Sequence, residues 1–133
     1  MARRTGRARR ATRTAGVLAL LLGGAGVTHF LRPRGYDRIV PDGLPPRTTT
    51  LASGVAELGI AVGLAVPATR RAAGWAAAAL FVAVFPANVK MAGDLLDSAR
   101  STRAQRIVGV VRLPLQVPLV TAALRVARHA PRR

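Results

Sequence analysis

Four stretches of this chain are each long and apolar enough to cross a hydrocarbon core as a helix. They are "TAGVLALLLGGAGVTHFL" at residues 14–31, "TLASGVAELGIAVGLAV" at 50–66, "AAGWAAAALFVAVFPANVKMA" at 72–92 and "IVGVVRLPLQVPLVTAAL" at 107–124. A helical span needs roughly 17–25 residues. In lipid the backbone must satisfy its own polar groups, which leaves the helix as the workable form. Four such runs in 133 residues predict an all-α fold, an integral membrane four-helix bundle. They form one membrane domain over residues 14–127, with basic tails at 1–13 and 128–133. The composition agrees: half of the chain is apolar, yet its formal net charge is +16. Four near-consecutive apolar runs with so little polar surface argue against a soluble bundle, whereas a multi-pass protein with cationic loops reconciles both facts.

The distribution of basic residues sets the expected orientation. If the chain crosses four times, Arg3, Arg4, Arg7, Arg9, Arg10, Arg13, Arg70, Arg71, Arg125, Arg128, Arg132 and Arg133 lie on one side. They outnumber Arg32, Arg34, Arg38, Arg47, Lys90, Arg100, Arg103 and Arg106 on the other. The side richer in basic residues is the cytoplasmic one. The expectation is a multi-pass protein of a bacterial plasma membrane with both termini cytoplasmic. The start "MARRTGRARRATRT" has the charge of a signal peptide, but no A-x-A cleavage site follows, so it reads as the approach to an uncleaved first span. No nucleic-acid-binding motif accompanies the arginines, so no nucleic-acid partner is expected. The chain has no cysteine, which excludes disulfides, thiolate chemistry and Cys-held metal or iron–sulfur sites. No metal site is expected from two histidines alone.

Polar residues within the runs are few: His29, Glu57, Asn88, Lys90, Arg112 and Gln116. An ionisable side chain in hydrocarbon costs several kcal/mol, so it faces the bundle interior and finds a partner. At about 1.5 Å rise per residue, Glu57 and Arg112 lie roughly 8–10 Å below the outer ends of their spans, and His29 and Asn88 roughly 3–6 Å below theirs. Polar groups from all four spans therefore share the outer half, and the inner halves carry almost none. Ala25, Gly26 and His29 share one side of the first span, and Ser53, Gly54, Glu57 and Ala61 one side of the second. Small residues there let membrane helices approach closely.

Similar depth predicts a Glu57–Arg112 pair. Pro114 and Pro118 remove hydrogen bonds from the fourth helix and free carbonyls as acceptors. In "FPANVKMA", Lys90 is expected to mark the exit to the interface while Asn88 points back to the cluster. The segment "RPRGYDRIVPDGLPPRTT" is too rich in proline for a continuous helix, and its length suits a functional or covering loop. "PATRR" reads as a tight turn, and "GDLLDSARSTRAQR" is a weak candidate for an interfacial helix.

Four motifs in order, "GVTHFLRPRGYDRIVPDGLPP", "SGVAELGIAVGLAVPATRRAAGW", "VFPANVKMA" and "RLPLQ", resemble the DoxX-like family of small four-helix membrane proteins. The resemblance runs from Gly23 to Gln116. It implies a four-span fold. It marks His29, Phe30, Pro33, Tyr36, Pro41 and Pro45 in the first motif and Ser53, Gly54 and Glu57 in the second. It marks Phe85, Pro86, Ala87, Asn88 and Met91 in the third, and Arg112, Pro114 and Gln116 in the fourth. It also implies an association with thiosulfate:quinone oxidation or other membrane oxidoreductase complexes.

The candidate binding cluster is thus His29, Glu57, Asn88, Arg112 and Gln116. No nucleophile–base set or metal array accompanies it, so catalysis by this chain alone is not expected. The expected role is an accessory subunit of a membrane redox system, with the cluster touching a quinone head group or partner proteins in the bilayer. The alternatives are a purely structural scaffold, in which the cluster only locks the helices, or a small-solute transporter module. The transporter would need a water-accessible path through the apolar inner halves.

Overall fold

The computed structural model describes residues 2–131, with side chains from Thr5 onward. Arg132 and Arg133 of the basic C-terminal tail lie outside the described residues, as do the side chains of Arg3 and Arg4. The described chain is helical, with no strand: α1 (Ala2–Leu31), α2 (Pro33–Asp37), α3 (Pro46–Ala65), α4 (Arg70–Ala83), α5 (Phe85–Asp97) and α6 (Arg103–His129). Four segments are long and apolar enough to cross a membrane: Thr5–Leu31, Pro46–Ala65, Arg70–Asp97 and Arg103–His129. The third of these comprises α4 and α5, joined at Val84.

The outer helices are longer than their apolar runs. α1 continues back through the basic segment because its buried seam does so: Ala11, Ala15, Leu18 and Leu22 are all buried. These positions recur at three- and four-residue intervals, one face of a helix. α6 behaves alike. Gly109, Gln116, Ala123 and Ala130 are buried at seven-residue spacing, and Val126 and Ala127 are fully covered.

Helix ends follow local chemistry. Proline stands in the first turn of α2, α3 and α5, where its missing N–H has no bond to lose. Thr102 and Gln105 form a reciprocal capping box at the start of α6, with Gln105 N donating to Thr102 Oγ1 at 3.2 Å and Thr102 N to Gln105 Oε1 at 2.8 Å. Residues 98–102 thus separate α5 from α6, and no separate interfacial helix forms there. The tight turn after α3 is held by Arg70, which donates to the carbonyls of Leu64 (2.8 Å) and Ala65 (2.9 Å), and by Thr69, which donates to that of Gly63 (2.9 Å).

The spans form a ring in chain order. α1 packs on α3, α3 on α4, α4 on α6 and α6 back on α1, while the chief neighbour of α5 is α6. The end of the bundle holding the termini is filled by an apolar core that includes Ala15, Leu18, Leu64, Ala77, Phe81 and Val126. The opposite end carries α2 and the proline-rich loop.

Two backbone approaches set the spacing. A Cβ on Gly54 would lie 2.8 Å from His29 Cβ, and one on Gly26 would lie 3.0 Å from the Gly54 carbonyl, so α1 and α3 cross through glycine on both sides. A Cβ on Gly74 would lie 2.6 Å from the Ala127 nitrogen. That neighbour is backbone and cannot turn aside. Gly74→Val should therefore destabilise the bundle by about 1–3 kcal/mol, the usual cost of overpacking. Gly93→Ala, which meets nothing within 4 Å inside α5, should instead stabilise by about 0.5–1 kcal/mol through helix propensity. Thermal unfolding in detergent compares the two.

Candidate functional site

At the α2 end the five candidate residues line one cavity of about 900 Å³. His29 comes from α1, Glu57 from α3, Asn88 from α5, and Arg112 and Gln116 from α6. The loop expected to serve as a cover does so: Tyr36, Ile39, Val40, Pro41 and Leu44 line the same space. Four of the five site residues are buried, His29, Glu57, Asn88 and Gln116, and Arg112 is exposed.

Two polar groupings occupy the walls. The first joins α1, α2 and α3. His29 Nδ1 lies 2.8 Å from the Ala25 carbonyl and 3.2 Å from Glu57 Oε2. A carbonyl oxygen only accepts, so Nδ1 carries the proton and faces both oxygens. The His29 ring stacks on Tyr36, with centroids 3.6 Å apart and planes at 24°. The Tyr36 hydroxyl meets Thr28 Oγ1 at 2.6 Å, and Thr28 donates to the Ala25 carbonyl at 2.7 Å. Because the Thr28 proton is committed to that carbonyl, Tyr36 is the donor to Thr28. The short α2 thus anchors to the end of α1 by one ring face and one hydroxyl. Its own far side is tied to α3 by Arg47 and Asp37, 3.0 Å apart.

The second grouping joins α4, α5 and α6. Asn88 Nδ2 donates to Gln116 Oε1 at 3.2 Å, and Gln116 Nε2 donates to the Phe81 carbonyl. Both acceptor and relay lie beside the junction of α4 and α5, where Pro86 has no N–H to offer the Val82 carbonyl. The Phe81 carbonyl stands at that break and takes a side-chain donor from across the bundle. Carbonyls near a proline were expected to serve as acceptors on the fourth span. The observed acceptor belongs to the third, and the donor is Gln116 rather than an arginine. In "FPANVKMA" Asn88 turns inward as expected, while α5 runs on past Lys90, which pairs with Asp94 one turn later at 2.9 Å.

The expected Glu57–Arg112 ion pair does not form; the partner of Glu57 is His29. Depth along the membrane normal is one coordinate and place around the ring is another. α3 and α6 are diagonal in the ring, whereas α3 and α1 are neighbours in close glycine contact. Arg112 lines the cavity without an ion pair or hydrogen bond to any described side chain. Thr50 Oγ1 on α3 is buried without a hydrogen-bond partner, and Glu57 Oε2 has only its 3.2 Å ion-pair contact with His29 Nδ1.

Sequence reasoning missed three contributors. Tyr36 was marked by the resemblance but not placed in the cluster; the signal was Pro33, whose position opens a one-turn helix that returns the tyrosine to His29. Thr28 was readable as a helix-end hydroxyl beside His29. Thr50 was taken only as the start of an apolar run, with no signal that it would face the cavity.

Fold and site together define a four-span membrane-type protein with a polar-walled cavity at one end. The chain belongs to the family described as Domain of unknown function (DUF8561), whose family model matches residues 18–127. That stretch holds every residue of the cluster. No curated protein and no solved structure matches the chain.

A double-mutant cycle separates the two pairings of Glu57. His29→Gln combined with Glu57→Gln should deviate from additivity by about 0.5–3 kcal/mol, as for residues in contact. Arg112→Gln combined with Glu57→Gln should add within about 0.5 kcal/mol. Unfolding midpoints in one detergent measure both.

Proposed function

We propose that this chain is a DoxX-like accessory subunit of a membrane redox system, not catalytic alone, that holds a quinone-type head group in its cavity. The observation that carries the binding part is the convergence of polar side chains from all four spans on one cavity, among them the buried carboxylate of Glu57 paired with His29. The redox part rests on the family resemblance of "GVTHFLRPRGYDRIVPDGLPP", "SGVAELGIAVGLAVPATRRAAGW", "VFPANVKMA" and "RLPLQ". The donor set suits such a head group. Glu57 accepts from a hydroxyl in the reduced form, and Arg112, which pairs with none of the described side chains, donates to a carbonyl oxygen in the oxidised form. The cofactor, when bound, supplies the two-electron chemistry. The protein binds, orients and keeps water from the ring.

The charge distribution supports a bacterial plasma-membrane location with both termini cytoplasmic, which places the cavity in the outer half of the bilayer. A reporter fused within residues 37–46 should then signal from outside the cytoplasm, and one fused after Arg133 from within it. The reverse pattern would invert the cavity's side.

The scaffold reading is favoured by one observation, the Asn88–Gln116–Phe81 chain, which fastens α5 to α6 and α4 without any ligand. The transporter reading is opposed by the apolar core that fills the other end of the bundle. Purification of the tagged chain from native membranes decides between site and scaffold. Bound quinone and partner subunits should co-purify, and Glu57→Gln and Arg112→Gln should lose the quinone at unchanged membrane abundance. Absence of both quinone and partners from the unaltered protein would overturn the redox reading.

A further inference from the structure

The cavity is not closed off from the space around the bundle. Val17 and Leu21 on α1 and Leu115 on α6 line it, yet these side chains are 57, 54 and 49% exposed. Leu18 and Leu22, which also line it, are buried at its floor, and Leu119 continues the lining along α6. α1 and α6 are neighbours in the ring, so the exposed lining residues form the two lips of an apolar groove between them. On α1 the lining runs from Thr14 to His29, some fifteen residues or about 22 Å of helix. Apart from Thr14, the polar members of the cavity lining gather at the α2 end, and the remainder is apolar. The α2 end is roofed by the proline-rich loop, and the termini end is plugged by the core. The side is therefore the way in.

From this we infer that the cavity receives a single-chain amphiphile from the surrounding leaflet through the gap between α1 and α6, with its head at Glu57 and Arg112 and its chain in the groove between Val17, Leu21 and Leu115. The inference deepens the proposed binding function and rests on that reading of the cavity, but it does not require the head group to be redox-active. The occupant is defined by its two ends. The head carries a hydrogen-bond donor, because the buried Glu57 carboxylate lines the cavity and its two oxygens can accept more than the 3.2 Å contact with His29 Nδ1 supplies. It carries an acceptor as well, because Arg112 reaches the same cavity unpaired. The chain is unbranched or narrowly branched, because it lies between two packed helices. A cavity of about 900 Å³ is at the upper end of the range for small-molecule sites and has room for more than a head group. Within a bilayer the chain gains no hydrophobic energy on entering the groove, since lipid tails are equally apolar. Selectivity therefore comes from the head, and the groove supplies the route.

The test uses the full chain in phosphatidylcholine vesicles that contain a long-chain primary alcohol with a photoactivatable diazirine at mid-chain. The hydroxyl is both donor and acceptor. After illumination, labelled residues are mapped by mass spectrometry and normalised to folded protein. The expected result is enrichment at Val17, Leu21 and Leu115 over Leu20 and Val62, which are exposed at 80 and 64% but do not line the cavity. Glu57→Gln should reduce the enrichment by removing the carboxylate that anchors the hydroxyl. Leu21→Trp, which obstructs the groove without touching the polar cluster, should abolish it, and Leu20→Trp should not. Equal labelling at Leu20, Val62 and the groove residues would mean annular lipid only and would overturn the inference. The outcome is separable from the redox reading. Groove labelling without native quinone leaves the amphiphile site standing and removes the redox link. Native quinone with uniform labelling retains the redox link and removes the lateral groove.

Discussion

Pro86 is the constraint on which the α2 end of the molecule depends. A proline has no N–H for the carbonyl one turn back, and in hydrocarbon that deficit must be met from elsewhere. Here the third span divides at Val84, two residues before Pro86, and beside that break the Phe81 carbonyl accepts from Gln116 of α6. Gln116 is thereby oriented to accept from Asn88 on the next turn of the same broken span. α5, fastened to α6, follows α6 instead of completing the square with α3. The space that α5 does not fill is the cavity. The helix break, the buried amide relay and the cavity thus lie together at one end of the molecule.

The two polar groupings are organised differently. Asn88 and Gln116 satisfy each other and the backbone, as buried amides must. His29 and Glu57 do not exhaust their capacity: His29 Nδ1 is shared between the Ala25 carbonyl and a carboxylate that can accept further donors. Interhelical hydrogen bonds in membranes are individually modest, about 0.6 kcal/mol on average. The amide relay is therefore suited to holding a shape, and the His29–Glu57 wall to meeting a ligand.

Most of the fold was legible in the sequence, because span length, hydropathy and proline position are local properties. The gathering of polar residues at one end was legible too, since depth along a span follows from residue number and rise. Which residues meet was not. Glu57 and Arg112 share a depth but sit on diagonal helices, and ring order is a tertiary fact that no single span encodes. The seam of α1 likewise reaches Ala11, beyond any apolar run, because small buried alanines between arginines do not raise a hydropathy average. Tyr36 was visible only as a motif residue. Its stacking on His29 needs the one-turn α2, five residues that composition alone does not distinguish from loop.

The contact of Gly74 with the Ala127 backbone has a mechanical consequence. At the end of the bundle holding the termini, α4 and α6 touch main chain to main chain, around a core without polar groups to rearrange. Such a contact neither slides nor widens cheaply. At the other end, helices interrupted by Pro86, Pro114 and Pro118 surround open volume. The molecule is built like a pair of tweezers, welded at the base and compliant at the tips. A wider cavity is therefore reached more cheaply by parting the helices at the α2 end than by opening the backbone contact of α4 with α6.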